Sequence, residues 1–96
     1  MGAIAKQQIL SNGPRTSRWI DRAEWLYYVA ERRGDEDHIK MAYSALLHFV
    51  EAQDLRRCYE RGTKKAYLRA SAAKEYRRGV KAYRTASEMI FGKPEG

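Results

Sequence analysis

"TKKAYLRASAAKEYRRGVKAYRTA", residues 63–86, carries eight Lys or Arg, three Tyr and a single acid, Glu75. Alanine, arginine and lysine are good helix formers, and no proline interrupts the segment. On a helix that turns about 100° per residue, one side collects two tyrosines and several small or apolar residues: Tyr76, Tyr83, Ala72, Ala73, Val80 and Ile90. Gly79 lies beside them and allows a neighbouring helix to approach closely. The segment therefore predicts a helix with Tyr76 and Tyr83 in the core.

The opposite side of the same helix is strongly basic. It carries, within an arc of about 120°, Lys74, Arg77, Arg78, Lys81 and Arg84. Like charges four residues apart cost a few tenths of a kcal/mol each, and folding alone does not require them. A polyanion that neutralises the stripe explains the choice. The predicted binding surface extends towards the preceding turn through Arg69, Lys64 and Lys65.

Two tyrosines outside the core stripe are candidates for stacking on a base or nucleotide ring: Tyr67 and Tyr59. The simpler interpretation of an exposed tyrosine is that it covers apolar surface. The simpler interpretation of the basic stripe is a solvated face that keeps a small protein in solution.

The charge of the whole chain is unevenly distributed. Residues 1–53 carry seven bases and seven acids, whereas residues 54–96 carry twelve bases and five acids, so the second half holds the whole net charge of +7. Such asymmetry indicates a polyanionic partner, which could be nucleic acid, a nucleotide, an anionic membrane or an acidic protein.

The helix-forming composition of the chain predicts an all-α fold. The 96 residues suffice for one small core, and the only two prolines are Pro14 and Pro94. We expect an N-terminal arm at 1–16, one helical domain at 17–92 and a tail at 93–96. The arm could add one or two helical turns, so three helices are predicted, with four as the alternative. Thr16 or Ser17 is the expected N-cap of the first full helix, which should end at Gly34.

The second helix should begin after the acids of residues 35–37, because the helix dipole favours negative charge there. One apolar stripe continues to about Gln53 and contains Ile39, Ala42, Tyr43, Leu46, Phe49 and Val50. Beyond it the apolar positions shift to Leu55, Cys58 and Tyr59. Either the helix breaks near Asp54, or it continues, bent, to Gly62. We favour the continuous helix, followed by a turn at Gly62-Thr63 and a last helix that Thr63 caps and that ends at Gly92.

This arrangement is a long antiparallel hairpin with one additional helix. Two helices of about 26 residues reach roughly 40 Å each. One shorter helix can cover only part of such a hairpin, so apolar surface should be left over. We therefore expect a homo-oligomer, either a dimer or a larger assembly.

Sequence motifs of catalysis or of cofactor and metal binding are missing. The single cysteine, Cys58, excludes an internal disulfide and is typical of a reducing compartment. His38 and His48 have no diagnostic metal-ligand spacing with it. No apolar run approaches the roughly 20 residues of a membrane span, and the first residues lack the apolar core of a signal peptide. We predict a cytoplasmic protein that is not an enzyme, holds no cofactor or metal and has no membrane partner.

Two segments resemble the second helices of tetratricopeptide repeats. In "GDEDHIKMAYSALLHFVEA" the pattern falls on Ile39/Tyr43/Leu46, and in "KEYRRGVKAYRTASEMIFGKP" it falls on Gly79/Tyr83/Ala86. Their offset is 40 residues, whereas the family repeats every 34, and the Trp-Leu-Gly-Tyr signature of the first helix is missing. The sequence does not assign the chain to that family. In architecture alone, a short helical hairpin protein is similar to the small phage proteins that sequester cyclic nucleotides.

The leading functional prediction is a small basic protein that binds a polyanion, most simply nucleic acid, through the stripe on its last helix. The alternative is a stoichiometric inhibitor or adaptor, such as a phage-type counter-defence factor or a nucleotide sponge, that uses the same basic face on a protein or nucleotide.

Overall fold

The computed structural model describes residues 14–62 and 65–92, and these residues form three helices: α1 (Pro14–Arg33), α2 (Glu36–Arg61) and α3 (Ala66–Phe91). α2 and α3 pack against each other along an antiparallel hairpin, and α1 lies against both. The predicted all-α fold is confirmed. The arm before residue 14, which carries the alternative fourth helix, lies outside the described residues.

The first helix begins earlier than the sequence predicted. α1 starts at Pro14, since the fixed backbone angle of proline suits the first position of a helix. The prediction of an N-cap at Thr16 or Ser17 is therefore wrong. Ser17 is buried, and its Oγ accepts a hydrogen bond from Gln53 Nε2 at 2.8 Å, which ties α1 to α2.

The link between α1 and α2 follows the predicted chemistry. Gly34 adopts a positive φ of 79°, and its backbone N–H donates to the Ala30 carbonyl at 3.0 Å. The Asp35 carboxylate then caps α2 by accepting from the backbone N–H groups of Asp37 and His38 at 3.0 and 3.3 Å.

α2 is continuous across Asp54, so the alternative of a break there is wrong. It ends before Gly62, whose backbone N–H donates to the Cys58 carbonyl at 3.0 Å. Thr63, the predicted cap of the last helix, lies outside the described residues. α3 follows Lys65, which makes no side-chain cap, and ends before Gly92 at a φ of 87°.

The core forms around one aromatic ring of α2. Phe49 is fully buried and stacks on Trp19 of α1 at a centroid distance of 5.4 Å. Tyr76 of α3 meets the same ring edge-on at 6.0 Å. Gly79 of α3 is buried opposite Phe49, and a Cβ at this position would lie 2.7 Å from the ring. Glycine therefore allows α2 and α3 to approach closely at this level.

A second part of the core lies towards the end of α1 and combines Leu26, Ala30, Ala42, Ala86 and Ile90. Tyr83 packs against both parts of the core and meets Trp19 edge-on at 5.1 Å. The structural role predicted for Tyr76 and Tyr83 is thus consistent with their packing.

Three residues predicted to be in the core stripes are exposed. Tyr43 and Val50 of α2 keep 45 % and 37 % of their surface accessible, because α1 and α3 cover the other sides of that helix. Ala73 is also exposed and lines a groove between α2 and α3. Within the described ranges, no helix is both long enough and apolar enough to span a membrane.

Candidate polyanion interface

The predicted basic stripe lies on the surface of α3. Its five residues, Lys74, Arg77, Arg78, Lys81 and Arg84, are all exposed, because the opposite side of α3 packs against α1 and α2. Arg69 and Lys65 are exposed as well. Lys64, the remaining predicted binding residue, lies outside the described part of the chain.

Part of this stripe borders a groove between α1 and α3. The groove has a volume of about 600 Å³, and its cationic walls are Arg77, Lys81 and Arg84. Its aromatic wall is formed by Trp19 and Tyr76. Lys74 and Arg78 do not line it and lie on the neighbouring flank of α3. The stripe is thus divided into a groove side and a flank side.

α1 contributes to this region in a way that the sequence did not predict. The Trp19 ring stacks on Phe49 in the core, but it is partly exposed and also lines the groove. The guanidinium of Arg22 lies 5.1 Å from the centre of the Trp19 ring, which places another cation beside this aromatic wall. The signal in the sequence is weak, because Arg22 belongs to the half of the chain in which charges balance.

The cations of the stripe differ in their ionic partners. Arg78 forms an ion pair with Glu75 at 3.0 Å, so part of its charge is already neutralised. Arg77, Lys81 and Arg84 form no ion pair with any described residue. One acid, Glu88, does line the same groove. Lys74 on the flank also forms no ion pair, so the groove side holds three of the four stripe cations that have no ion-pair partner among the described residues.

Glu75 also connects α3 to α2. Its Oε1 lies 2.8 Å from Nδ1 of His48, and its other oxygen accepts from Arg78. The hydrogen bond from His48 lowers the pKa of Glu75 and outweighs burial, which acts in the opposite direction; the Arg78 hydrogen bond lowers it further. Glu75 consequently remains a carboxylate, and it holds Arg78 towards the flank.

A second, smaller groove of about 270 Å³ lies between the later half of α2 and the first half of α3. Tyr59 and Tyr76 are its aromatic walls, and Arg56 and Arg69 supply positive charge. Arg56 is partly compensated by Glu60 at 3.5 Å. All lining residues of this groove belong to α2 and α3.

The structure separates the two predicted stacking residues. Tyr59 is partly buried in the smaller groove, whereas Tyr67 is 61 % exposed and does not line it. Lys65 Nζ lies 6.0 Å from the centre of the Tyr67 ring. The two rings therefore do not form one stacking platform.

The described residues contain no group of three or more His, Cys, Asp or Glu side chains placed to hold a metal ion. Cys58 is exposed and free. Comparisons with protein-family models, with curated proteins and with solved structures give no match to this chain. Any proposal about function therefore rests on its own geometry and charge.

Proposed function

We propose that the protein binds a polyanion, most simply the phosphate backbone of nucleic acid, through the groove side of α3. The observation that carries this proposal is the placement of Arg77, Lys81 and Arg84 along one groove without ion-pair partners among the described residues. Cations held close together on a rigid helix repel one another, and a row of phosphates relieves that repulsion.

The mechanism is release of counterions together with direct contacts to phosphate. The two arginines can each hold a phosphate through two parallel N–H···O bonds, whereas Lys81 acts as a point charge. Trp19 is already packed on Phe49 and Tyr83, so we expect it to shape the groove and not to read bases. The binding should therefore tolerate many sequences.

Replacing the three groove cations tests this proposal. Arg77→Gln/Lys81→Gln/Arg84→Gln should weaken binding of labelled single- and double-stranded DNA and RNA. It should also lower the salt slope of the affinity by about one for each lost phosphate contact. Fluorescence anisotropy at several salt concentrations measures both quantities, and circular dichroism checks that the exposed substitutions leave the helices intact.

A variant with the same charge loss elsewhere provides the matched control. Arg32→Gln/Arg56→Gln/Arg61→Gln removes three exposed cations outside the groove side. It should retain most of the affinity and the salt slope. Equal losses in both variants would show that net charge alone governs binding, and an unchanged affinity in the groove variant would contradict the proposal.

The alternative is that the same surface binds an acidic protein as a stoichiometric inhibitor or adaptor. The observation in its favour is Glu88, an acid within the cationic groove, which would repel phosphate but could pair with a basic residue of a protein. This alternative predicts little binding to generic DNA or RNA even at low salt. A nucleotide sponge would instead give saturable binding of a small ligand, for which the smaller groove beside Tyr59 and Arg69 is the candidate.

We also propose that the protein is a cytoplasmic homo-oligomer. The support for the homo-oligomer comes from large apolar side chains that the described part of the chain leaves exposed on α2: Tyr43, Leu47 and Val50. Light scattering over a range of concentrations tests the proposal, which a monomer at every concentration would contradict.

A further inference from the structure

The outer face of α2 carries an apolar stripe of which the fold uses only one member: the Tyr43 ring meets the Tyr27 ring of α1 at a centroid distance of 5.5 Å. Tyr43, Leu47 and Val50 are spaced by four and three residues and are exposed by 45 %, 49 % and 37 %. The opposite side of α2 supplies core residues such as Phe49. Leu47 and Val50 pack in neither part of the core. An apolar face of this kind is a typical contact surface for another helix.

Charges at both ends of this stripe are arranged symmetrically about Leu47. Lys40 precedes Leu47 by seven residues, and Asp54, of opposite charge, follows it by seven. Glu36 and Arg57 form a second pair of opposite charges, eleven residues before and ten residues after it. On a helix of about 100° per residue, all four lie within about 60° of the apolar stripe. None of them forms an ion pair with a described residue.

We propose that this face binds a second copy of the chain, with the two α2 helices antiparallel and Leu47 at the two-fold axis. Residues at equal distances on either side of Leu47 then meet across the axis. Lys40 faces Asp54 of the second copy, and Glu36 lies one residue from the position opposite Arg57. The symmetry makes each pair occur twice. In a parallel arrangement each of these charges would meet its own equivalent and repel it. The charge pattern thus selects the antiparallel pair.

Other exposed aromatic residues have contact partners within the chain, although Trp25, Tyr28 and Phe91 keep 51 % to 55 % of their surface accessible. Trp25 and Phe91 stack on each other at a centroid distance of 5.9 Å, and the guanidinium of Arg33 lies 5.1 Å from the Phe91 ring. Arg32 covers Tyr28 in the same way at 5.6 Å. The α2 stripe has no comparable cover on Leu47 or Val50, which makes it the better candidate for a contact between chains.

This inference rests on the proposed homo-oligomer and does not depend on polyanion binding. The face is small, so we expect a dissociation constant between about 1 µM and 1 mM. Sedimentation equilibrium should show a dimer that forms as the concentration rises. If the Leu47→Asp variant still forms the dimer, the proposed interface is wrong but the homo-oligomer is not. If the original protein is a monomer at every concentration, both proposals are wrong.

The first test is the Leu47→Asp variant. It should abolish dimer formation, because it places two carboxylates together at the two-fold axis, while the exposure of Leu47 leaves the fold of the monomer unchanged. Met89→Asp is the matched control, since Met89 is also an exposed apolar residue, at 36 %, but lies on α3. It should retain the dimer.

The second test exchanges the charges. Lys40→Glu and Asp54→Lys should each weaken self-association about tenfold, since two ion pairs become repulsive contacts. A mixture of the two variants should form a mixed dimer that regains the affinity of the original protein, because the new glutamate then faces the new lysine and the unchanged Asp54 of one chain faces the unchanged Lys40 of the other. Absence of this recovery would contradict the antiparallel register.

The third test measures the register directly. Cys58 is the only cysteine and is exposed, so a nitroxide label can be attached to the natural chain without any substitution. It lies eleven residues beyond Leu47, so two labels in the antiparallel dimer should be separated by about 33 Å along the helices. Pulsed electron paramagnetic resonance would report a far shorter distance for a parallel pair, and that result would overturn the proposal.

Discussion

The two faces of α3 differ in what holds their residues in place. The inner face is determined by packing: Gly79 and Tyr83 fit against Phe49 and Trp19, and their size and shape matter. The outer face carries Arg77 and Lys81, which no contact of the fold requires. One helix thus combines a face that determines stability with a face available for a partner. Substitutions on the two faces should therefore change different measurements.

The inner face should give the largest effect on stability. Tyr83→Ala removes a ring that packs against both parts of the core, so the free energy of unfolding should fall by about 3 kcal/mol. Tyr83→Phe keeps the ring and should change it by less than about 1 kcal/mol. Urea unfolding followed by circular dichroism measures both variants. A loss as small for alanine as for phenylalanine would contradict the structural role of this ring.

Gly79→Ala should have a smaller effect, and its sign is informative. At an ordinary helix position this change gains up to about 1 kcal/mol. Here the new Cβ would lie 2.7 Å from the buried Phe49 ring, so we expect a net loss of about 1 to 2 kcal/mol. Urea unfolding measures it.

Phe49→Leu provides the control for that clash. It shortens the side chain that opposes Gly79, so the alanine variant should cost less in this background than in the original chain. Equal costs in both backgrounds would show that the close approach of α2 and α3 is not responsible.

The smallest effect is expected at Glu75, where the two faces meet. The pKa of Glu75 is lowered in the folded protein, so its ion contacts stabilise the fold above the ordinary value of 4.5. This stabilisation should be lost as the pH falls below 4.5 and through the lowered pKa. Glu75→Gln should therefore reduce the dependence of the urea midpoint on pH below 4.5.

Glu88→Gln is the control for this pH effect, because Glu88 is exposed and forms no ion pair with a described residue. It should leave the acid dependence close to that of the original protein. An unaltered profile for Glu75→Gln would show that the contact with His48 does not stabilise the fold.

Local patterns in the sequence predicted the helices and the separation of the two faces of α3. Gly34 and Gly62 marked helix ends correctly because their signals are local. The contact between His48 and Glu75 joins residues 27 positions apart, so it depends on the register of the hairpin. The exposure of Ala73 depends on how α2 and α3 pack, which helical periodicity does not reveal. The contact of Arg22 with the Trp19 ring was not predicted, because Arg22 lies in the half of the chain in which charges balance.

The proposed contact face of α2 and the groove side of α3 lie on different helices. Two chains joined through α2 would therefore form a particle with two basic surfaces, one on each chain. It would act as a cross-linker that holds two polyanion segments side by side, and on a long strand it would produce loops and compaction.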